Sequence, residues 1–401
     1  MAGKSSGGSS GPNLKIAVIG AGAMGSGIAQ VAAMAGNEVN VYDSYPNAVS
    51  RSRDSILDSL NKFAVKGKLS DQEVKATFGK IYFIDQLESI KDSDLVIEAI
   101  IEDVGEKKNI FEKIDSLVGD STIIASNTSS FSITELAKTV RNSERFIGIH
   151  FFNPPVLMKL VEIIPALQTS DENIRKVTDL IESWGKITVQ AKDTPGFIVN
   201  RIARPYYSEA LRIAEEQLAS PEQIDNAMKE LGGFRMGPFE LMDFIGNDIN
   251  EVVTRSVWTA MHYEPRYKPS LLQENLVRAG WTGRKSGRGF YNYDSNNTVI
   301  KDEKSAASIL NEKQICDRIL TMLINEAADA LYYGIATRED IDKAMTLGVN
   351  YPKGLLKWGD EIGVSTCVKN MDTLHDRYKE ERYRCSIGLR MRAESQQSFY
   401  S

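Results

Sequence analysis

Apolar positions along this chain recur with two different periods, and the change between them divides it. From residue 14 to about 190, short apolar runs alternate with amphipathic stretches. The runs at 14–19, 38–43, 80–84, 94–100, 122–125, 146–150, 160–164 and 187–190 have the length of buried strands, and most of the stretches between them carry helical spacing. Strands that alternate with helices predict a Rossmann-like α/β domain, a doubly wound and mostly parallel sheet. After Asp193-Thr194-Pro195-Gly196 the runs give way to long helical patterns such as 198–217. A domain boundary is therefore expected near residue 192.

The helical part repeats itself. A shift of 117 positions lays Arg201-Ile202 on Arg318-Ile319, Glu209-Ala210 on Glu326-Ala327 and Ile224-Asp225 on Ile341-Asp342. The register continues through Gly237 on Gly354, Asp243 on Asp360 and Ile245-Gly246 on Ile362-Gly363. Ungapped self-similarity at a fixed period marks a duplicated unit. The expected organisation is a linker-like Gly/Ser-rich segment at 1–12, a dinucleotide-type domain at 13–192, and two related all-helical domains at 193–294 and 305–401. The polar stretch 294–304 is the expected connection between the two copies.

Composition narrows the classes. With 48 basic and 54 acidic residues the net charge is −6, which leaves no electrostatic footprint for nucleic acid. No apolar run reaches the ~18 to 20 residues that span a bilayer, and residues 1–12 lack the apolar core of a signal peptide, so neither membrane nor export is expected and a cytoplasmic protein is. The three cysteines, Cys316, Cys367 and Cys385, have no metal-site spacing, and an odd count argues against a disulfide framework. Only three histidines, His150, His262 and His375, are available for a histidine-based mechanism.

The segment Gly20-Ala21-Gly22-Ala23-Met24-Gly25 stands between an apolar strand and a helix. In that setting Gly20 makes the tight turn, Gly22 admits a pyrophosphate against backbone, and Gly25 lets helix and strand approach closely. The helix N-terminus offers its unpaired N–H groups to phosphate. Asp43 closes the second strand, where a carboxylate accepts hydrogen bonds from a ribose 2′-hydroxyl and repels a 2′-phosphate. The next residues, Ser44, Tyr45 and Pro46, supply no arginine, so NAD is expected over NADP.

Hydride transfer from an alcohol needs a base for the hydroxyl proton. His150 ends the run Phe146-Ile147-Gly148-Ile149, and the carboxyl end of a parallel strand is the ligand side of such a sheet. Glu162 interrupts Leu160-Val161-Ile163-Ile164, where an unpartnered carboxylate would be costly to bury. His150 is one natural partner, since a carboxylate fixes the tautomer of an imidazole and stabilises its protonated form; an ion pair with Lys159 is the competing arrangement. Ser126-Asn127-Thr128-Ser129-Ser130 also follows a strand, with Ser132 and Glu135 spaced as a capping box. Asn200 places an amide in an amphipathic pattern.

These segments together resemble the L-3-hydroxyacyl-CoA dehydrogenase family. GAGAMGSGIAQ, SNTSS, GIHFFNPP followed by MKLVE, DTPGFIVNRI and GRKSGRGFYNY stand in the family's order from Leu14 onward. The two-copy layout resembles the bacterial 3-hydroxybutyryl-CoA and 3-hydroxyadipyl-CoA dehydrogenases of the family, and the resemblance implies oxidation of a (S)-3-hydroxyacyl-CoA, short-chain such as 3-hydroxybutyryl-CoA, with a His150–Glu162 dyad and with Ser129 and Asn200 binding substrate. It adds Glu102, Lys107 and Lys285 to the glycine loop and Asp43 as NAD contacts, and Ser59 and Lys66 as coenzyme A contacts. Asp317 stands where the second copy would repeat Asn200, so that copy is expected to be structural. In the shorter members the helical domain mediates dimerisation, which leaves a homodimer or an internal pseudo-dimer as the expected assembly. A β-hydroxyacid dehydrogenase acting on a free acid and a non-catalytic NAD-binding protein are the rival readings.

Overall fold

The structure, a computed structural model, describes residues 13–300 and 308–400. The linker-like segment at 1–12 and the first residues of the second helical copy, 305–307, lie outside the described residues. The chain divides into two compact units between Asp193 and Thr194.

The first unit is built on one eight-stranded sheet, with strands β1 (Lys15–Ile19), β2 (Glu38–Tyr42), β3 (Ile81–Ile84), β4 (Leu95–Glu98), β5 (Ile123–Ser126), β6 (Phe146–Phe151), β7 (Leu160–Pro165) and β8 (Ile187–Gln190). Their spatial order is β3-β2-β1-β4-β5-β6-β7-β8. The six strands β1 to β6 are parallel, and the order reverses between β1 and β4, the crevice where such sheets take their ligands. Strand β7 then runs antiparallel to β6, and β8 is parallel to β7. Ile16, Val18, Val39, Val41, Ile97, Ile147, Ile149, Val161 and Ile163 form the core of the sheet. The helix α1 (Ala23–Met34) connects β1 to β2, and α2 (Pro46–Val65) and α3 (Asp71–Phe78) form a hairpin ahead of β3. A fourth helix, α4 (Val104–Leu117), returns the chain from β4 to β5.

The second unit is helical and shows the duplication. Helices Pro221–Glu230, Pro238–Ile245, Asn247–Ala260 and Leu271–Arg278 have counterparts in Arg338–Gly348, Leu355–Ile362, Val364–Tyr378 and Ile387–Glu394. The helix expected over 198–217 is in fact broken, into Val199–Ile202 and Arg204–Glu215. Pro205 is the reason, because proline lacks the N–H and clashes with the preceding turn. Its counterpart one repeat on is Met322, and there Glu312–Tyr332 runs unbroken.

The two copies grip each other reciprocally. Arg201 Nε lies 2.7 Å from Glu326, and Arg318 Nε lies 2.5 Å from Glu209; both arginines and both glutamates are related by the 117-residue shift. Tyr267 donates to Glu326 at 2.5 Å and Tyr383 to Glu209 at 2.8 Å. Residue i meeting j while the counterpart of j meets the counterpart of i is the pattern of an isologous two-fold interface, realised here inside one chain.

The duplication also reaches further than the sequence shift followed it. Asp243 accepts the N–H groups of Phe290 and Tyr291, and Asp360 those of Phe399 and Tyr400. Asp225 takes the Tyr291 hydroxyl at 2.7 Å, and Asp342 that of Tyr400 at 3.0 Å. Burial raises the Asp225 carboxyl, against the hydrogen bonds of Tyr291, Phe239 and Glu240, to about 7. The expected connection at 294–304 begins instead as an antiparallel hairpin, with Val299–Ile300 paired to Asn292–Tyr293 around a turn held by the Asp294 carboxylate.

Candidate active site

The glycine loop follows β1 directly. Gly20 has φ +109°, and a Cβ there would stand 2.5 Å from the Ala99 carbonyl oxygen. A Cβ on Gly25 would stand within bonding distance of the Gly20 carbonyl, so the first turn of α1 packs on the loop in a way only glycine permits. Gly22 has open space where its Cβ would be. It is the N-cap of α1, with no side-chain cap and no acidic residue in the first turn. An accessible backbone with uncapped N–H groups is the cradle a pyrophosphate requires, so these residues fit a dinucleotide. Ala21, Ala23 and Met24 complete the loop, Ala21 by donating its N–H to Asp43 at 2.8 Å. Asp43 also accepts from the Tyr45 N–H at 2.9 Å, so the carboxylate at the end of β2 is oriented by the loop it serves.

A feature the sequence reading overlooked lies beside this loop. Gly27 would drive a Cβ into Pro155 at 2.7 Å, so α1 packs closely on the segment that follows β6. The Asn153–Pro154 peptide in that segment is cis. Lys186 pins it by donating to the carbonyls of Pro155 and Met158, at 2.5 and 2.9 Å, and burial pushes the Lys186 ammonium down to about 8.

His150 and Glu162 are directly opposite each other in the antiparallel register of β6 and β7. Their side chains therefore rise from the same face, and His150 Nδ1 lies 2.6 Å from Glu162 Oε2. Glu162 is fully buried and His150 is 6% exposed, with the Phe152 ring 4.6 Å away. The competing arrangement is not adopted: Lys159 is exposed and has no ion pair among the described residues. Asn127 holds the end of β6 by accepting the Phe151 N–H at 2.9 Å.

Ser129 belongs to a network centred on two acids. Glu102 accepts from Thr128 Oγ1 at 2.5 Å, from the Ser129 N–H at 3.0 Å and from Ser130 Oγ at 2.9 Å. Burial works to raise the Glu102 carboxyl, but the Lys107 charge and the hydroxyls of Thr128 and Ser130 outweigh it and hold it below the usual range. Lys107, on α4, is 1% exposed and lies 3.1 Å from Glu102 and 2.5 Å from Glu98. Glu98 was missed in the sequence. It is fully buried at the end of β4 and also accepts from Ser126 Oγ at 2.6 Å and the Ile100 N–H at 2.8 Å. Its signal was present, a carboxylate in the apolar run Leu95-Val96-Ile97, the same signal that singled out Glu162. Ser132 caps the short helix Ile133–Leu136 by accepting from Glu135, and Asp193, not the Glu135 side chain, completes the cap.

Ser59 is half-buried on α2, and Lys66, just past its end, is exposed. Asn200 and Lys285 belong to the second unit. Asn200 is half-buried on the helix Val199–Ile202, and Lys285 pairs with Asp248 at 2.6 Å. Among the described residues no helix is long and apolar enough to cross a membrane.

Comparison with known proteins gives this constellation its family. The family model described as 3-hydroxyacyl-CoA dehydrogenase, NAD binding domain, matches residues 15–194. Its companion, 3-hydroxyacyl-CoA dehydrogenase, C-terminal domain, matches twice, at 196–293 and 315–398. The 3-hydroxyadipyl-CoA dehydrogenase of Escherichia coli is 38% identical, over 94% of this chain and 97% of its own length. A probable 3-hydroxybutyryl-CoA dehydrogenase of Bacillus subtilis is 43% identical over 97% of its length but covers only 70% of this chain. The crystal structure of an Escherichia coli 3-hydroxybutyryl-CoA dehydrogenase superposes with a TM-score of 0.89 at 37% identity, covering 96% of this chain and 99% of that one. The chain belongs to the 3-hydroxyacyl-CoA dehydrogenase family, oxidoreductases that use NAD.

Proposed function

We propose that the chain interconverts a (S)-3-hydroxyacyl-CoA and the 3-oxoacyl-CoA, and that His150 and Glu162 handle the proton. The observation that carries this is the buried 2.6 Å contact between His150 Nδ1 and Glu162 Oε2 at the end of β6. NAD, when bound, accepts the hydride that leaves C3. The glycine loop would hold its pyrophosphate and Asp43 its adenosine ribose. With Nδ1 committed to Glu162, Nε2 takes the hydroxyl proton in oxidation and returns it in reduction. The carboxylate lowers the cost of the imidazolium formed in between and keeps the ring in one orientation.

Ser129 and Asn200 complete the reading as substrate-binding residues, on the strength of their motifs. In the structure Lys107 is enclosed by Glu98 and Glu102, so we assign it to organising Glu102 and the Ser129 segment rather than to a direct cofactor contact. Glu102 and Lys285 remain the further NAD contacts, and Ser59 and Lys66 those for coenzyme A. A short acyl group, as in 3-hydroxybutyryl-CoA, is the expected substrate. The reciprocal arginine–glutamate pairs support an internal pseudo-dimer over a homodimer through this face. Three free, buried cysteines suit the reducing cytoplasm.

Turnover of a 3-hydroxyacyl-CoA against its free acid tests the reading. We expect activity on the thioester alone; activity on the acid alone would favour a β-hydroxyacid dehydrogenase, and activity on neither a non-catalytic protein.

A further inference from the structure

The segment 152–159, between β6 and β7, carries the chain from His150 to Glu162. Two of its residues, Pro154 and Pro155, have no N–H to give. The Pro154 carbonyl accepts the N–H groups of Leu157 and Met158, each at 3.0 Å. The Pro155 and Met158 carbonyls receive no backbone N–H among the described residues, and Lys186 serves both, at 2.5 and 2.9 Å from Nζ. The next residue, Ile187, donates its N–H to the Lys159 carbonyl at 2.9 Å. The chain entering β8 thus holds the segment by three of its carbonyls.

Lys186 does this at a cost. It is half-buried with no ion pair among the described residues, and burial, which no neighbouring charge opposes, is what lowers its ammonium to about 8. An ammonium withdrawn from water without a counter-charge is unfavourable unless hydrogen bonds satisfy it, and here they go to the one segment that touches both parts of the site. Near its start the Phe152 ring lies 4.6 Å from the His150 imidazole. Further on, the buried Pro155 lies against α1, where a Cβ on Gly27 would stand 2.7 Å from Pro155 Cδ. The first turn of that helix is seated on the Gly20 carbonyl through Gly25. Helix α1 is thereby wedged between the glycine loop and the segment that Lys186 holds.

We propose that Lys186 is a positioning residue: by holding 152–159 against α1, it fixes the His150 imidazole relative to the dinucleotide that α1 receives. This rests on the dehydrogenase reading, in which His150 handles the proton while the hydride crosses to or from the cofactor. Lys186 touches neither substrate nor cofactor in that role. It acts through the Pro155 and Met158 carbonyls, and through them on the approach of the reacting groups. A displacement of about 1 Å caused by a change far from the chemistry can slow a reaction about 10²-fold.

The test is NADH-dependent reduction of acetoacetyl-CoA by the native protein, Lys186→Met and Lys186→Arg, repeated with NADH deuterated at the transferred position, with NADH binding titrated by fluorescence. Lys186→Met is expected to lower kcat by roughly 10 to 100-fold, with the NADH Kd and the KM for acetoacetyl-CoA within about threefold of native. Its deuterium isotope effect on kcat should exceed that of the native protein, since the hydride step is the one slowed. Lys186→Arg, whose guanidinium also has donors for two carbonyls, should recover most of the loss. A lysine that only stabilises the fold would lower the unfolding temperature of Lys186→Met and leave kcat and the isotope effect at native values. That result overturns the positioning role, as does a Lys186→Arg protein no faster than Lys186→Met. Should Lys186→Met not fold, Gly27→Ala presses on the same segment from the other side, and native kcat and isotope effect there overturn the role equally. No turnover by the native protein overturns the dehydrogenase reading itself, whereas native turnover that the variants leave unchanged overturns only the role of Lys186.

Discussion

A carboxylate inside an apolar strand is expensive to bury, and Glu162 and Glu98 each meet a buried partner. Glu162 meets His150 across the antiparallel pair, and Glu98 meets Lys107 and Ser126. His150 and Glu162 were legible together because both the histidine at a strand end and the acid in an apolar run break the local pattern. Glu98 breaks it in the same way, yet its partner Lys107 lies on the following helix, at a separation that makes no motif. Asp43 was read as a ribose acceptor, and the structure adds that it also braces Ala21 and Tyr45. Replacing it by Asn keeps an acceptor but removes the charge that repels a 2′-phosphate. The ratio of NAD to NADP affinity, measured by fluorescence titration of the reduced forms, should fall by about tenfold, ~1.4 kcal/mol. An unchanged ratio would remove Asp43 from cofactor selection.

At the level of elements, all eight strands of the sheet lie where the sequence pattern announced them: β1, β4, β5, β6 and β7 are buried on both faces and read as continuous apolar segments, while β2 alternates. What those runs do not encode is direction. The reversal at β7 follows from the short connection after β6, too short for the crossover a parallel neighbour needs. That reversal is what sets His150 opposite Glu162 in register. The helix over 198–217 failed as one element because Pro205 outweighs the surrounding periodicity. The tie between β4, β5 and α4 carries its own prediction. Glu98→Leu leaves Lys107 buried beside only Glu102, and the loss of a buried partner should cost on the order of 3 to 5 kcal/mol. Urea denaturation would measure it, and a loss below about 1 kcal/mol would show that the network contributes little to stability.

For the whole chain, the duplication was visible as far as Gly363 and then lost. The second copy lacks residues where the first has Gly283-Arg284-Lys285-Ser286-Gly287, so a fixed shift cannot align Phe290-Tyr291 with Phe399-Tyr400. The aspartates that receive each pair, Asp243 with Asp225 and Asp360 with Asp342, reveal the equivalence. The Bacillus subtilis relative, which covers 70% of this chain, shows that the family fold is also used without so long a chain. Here both halves of a two-fold interface reside in one polypeptide, so their association does not depend on protein concentration. Arg318→Met strands the buried Glu209 and should destabilise the helical unit by on the order of 3 kcal/mol, while NADH affinity, a property of the glycine loop, stays within twofold. Thermal unfolding with and without NADH separates the two effects. A variant with native stability would mean that the reciprocal pairs do not hold the copies together.

The central proposal is that the His150–Glu162 dyad handles the proton of an NAD-dependent 3-hydroxyacyl-CoA dehydrogenase. Its most direct measurement is NADH oxidation by acetoacetyl-CoA in the native protein and in His150→Gln, with NADH binding titrated in both. Rapid oxidation by the native protein is expected, with a rate lower by roughly 10² to 10⁴-fold in the variant and equal NADH affinity in the two. Equal rates in the two proteins would contradict it.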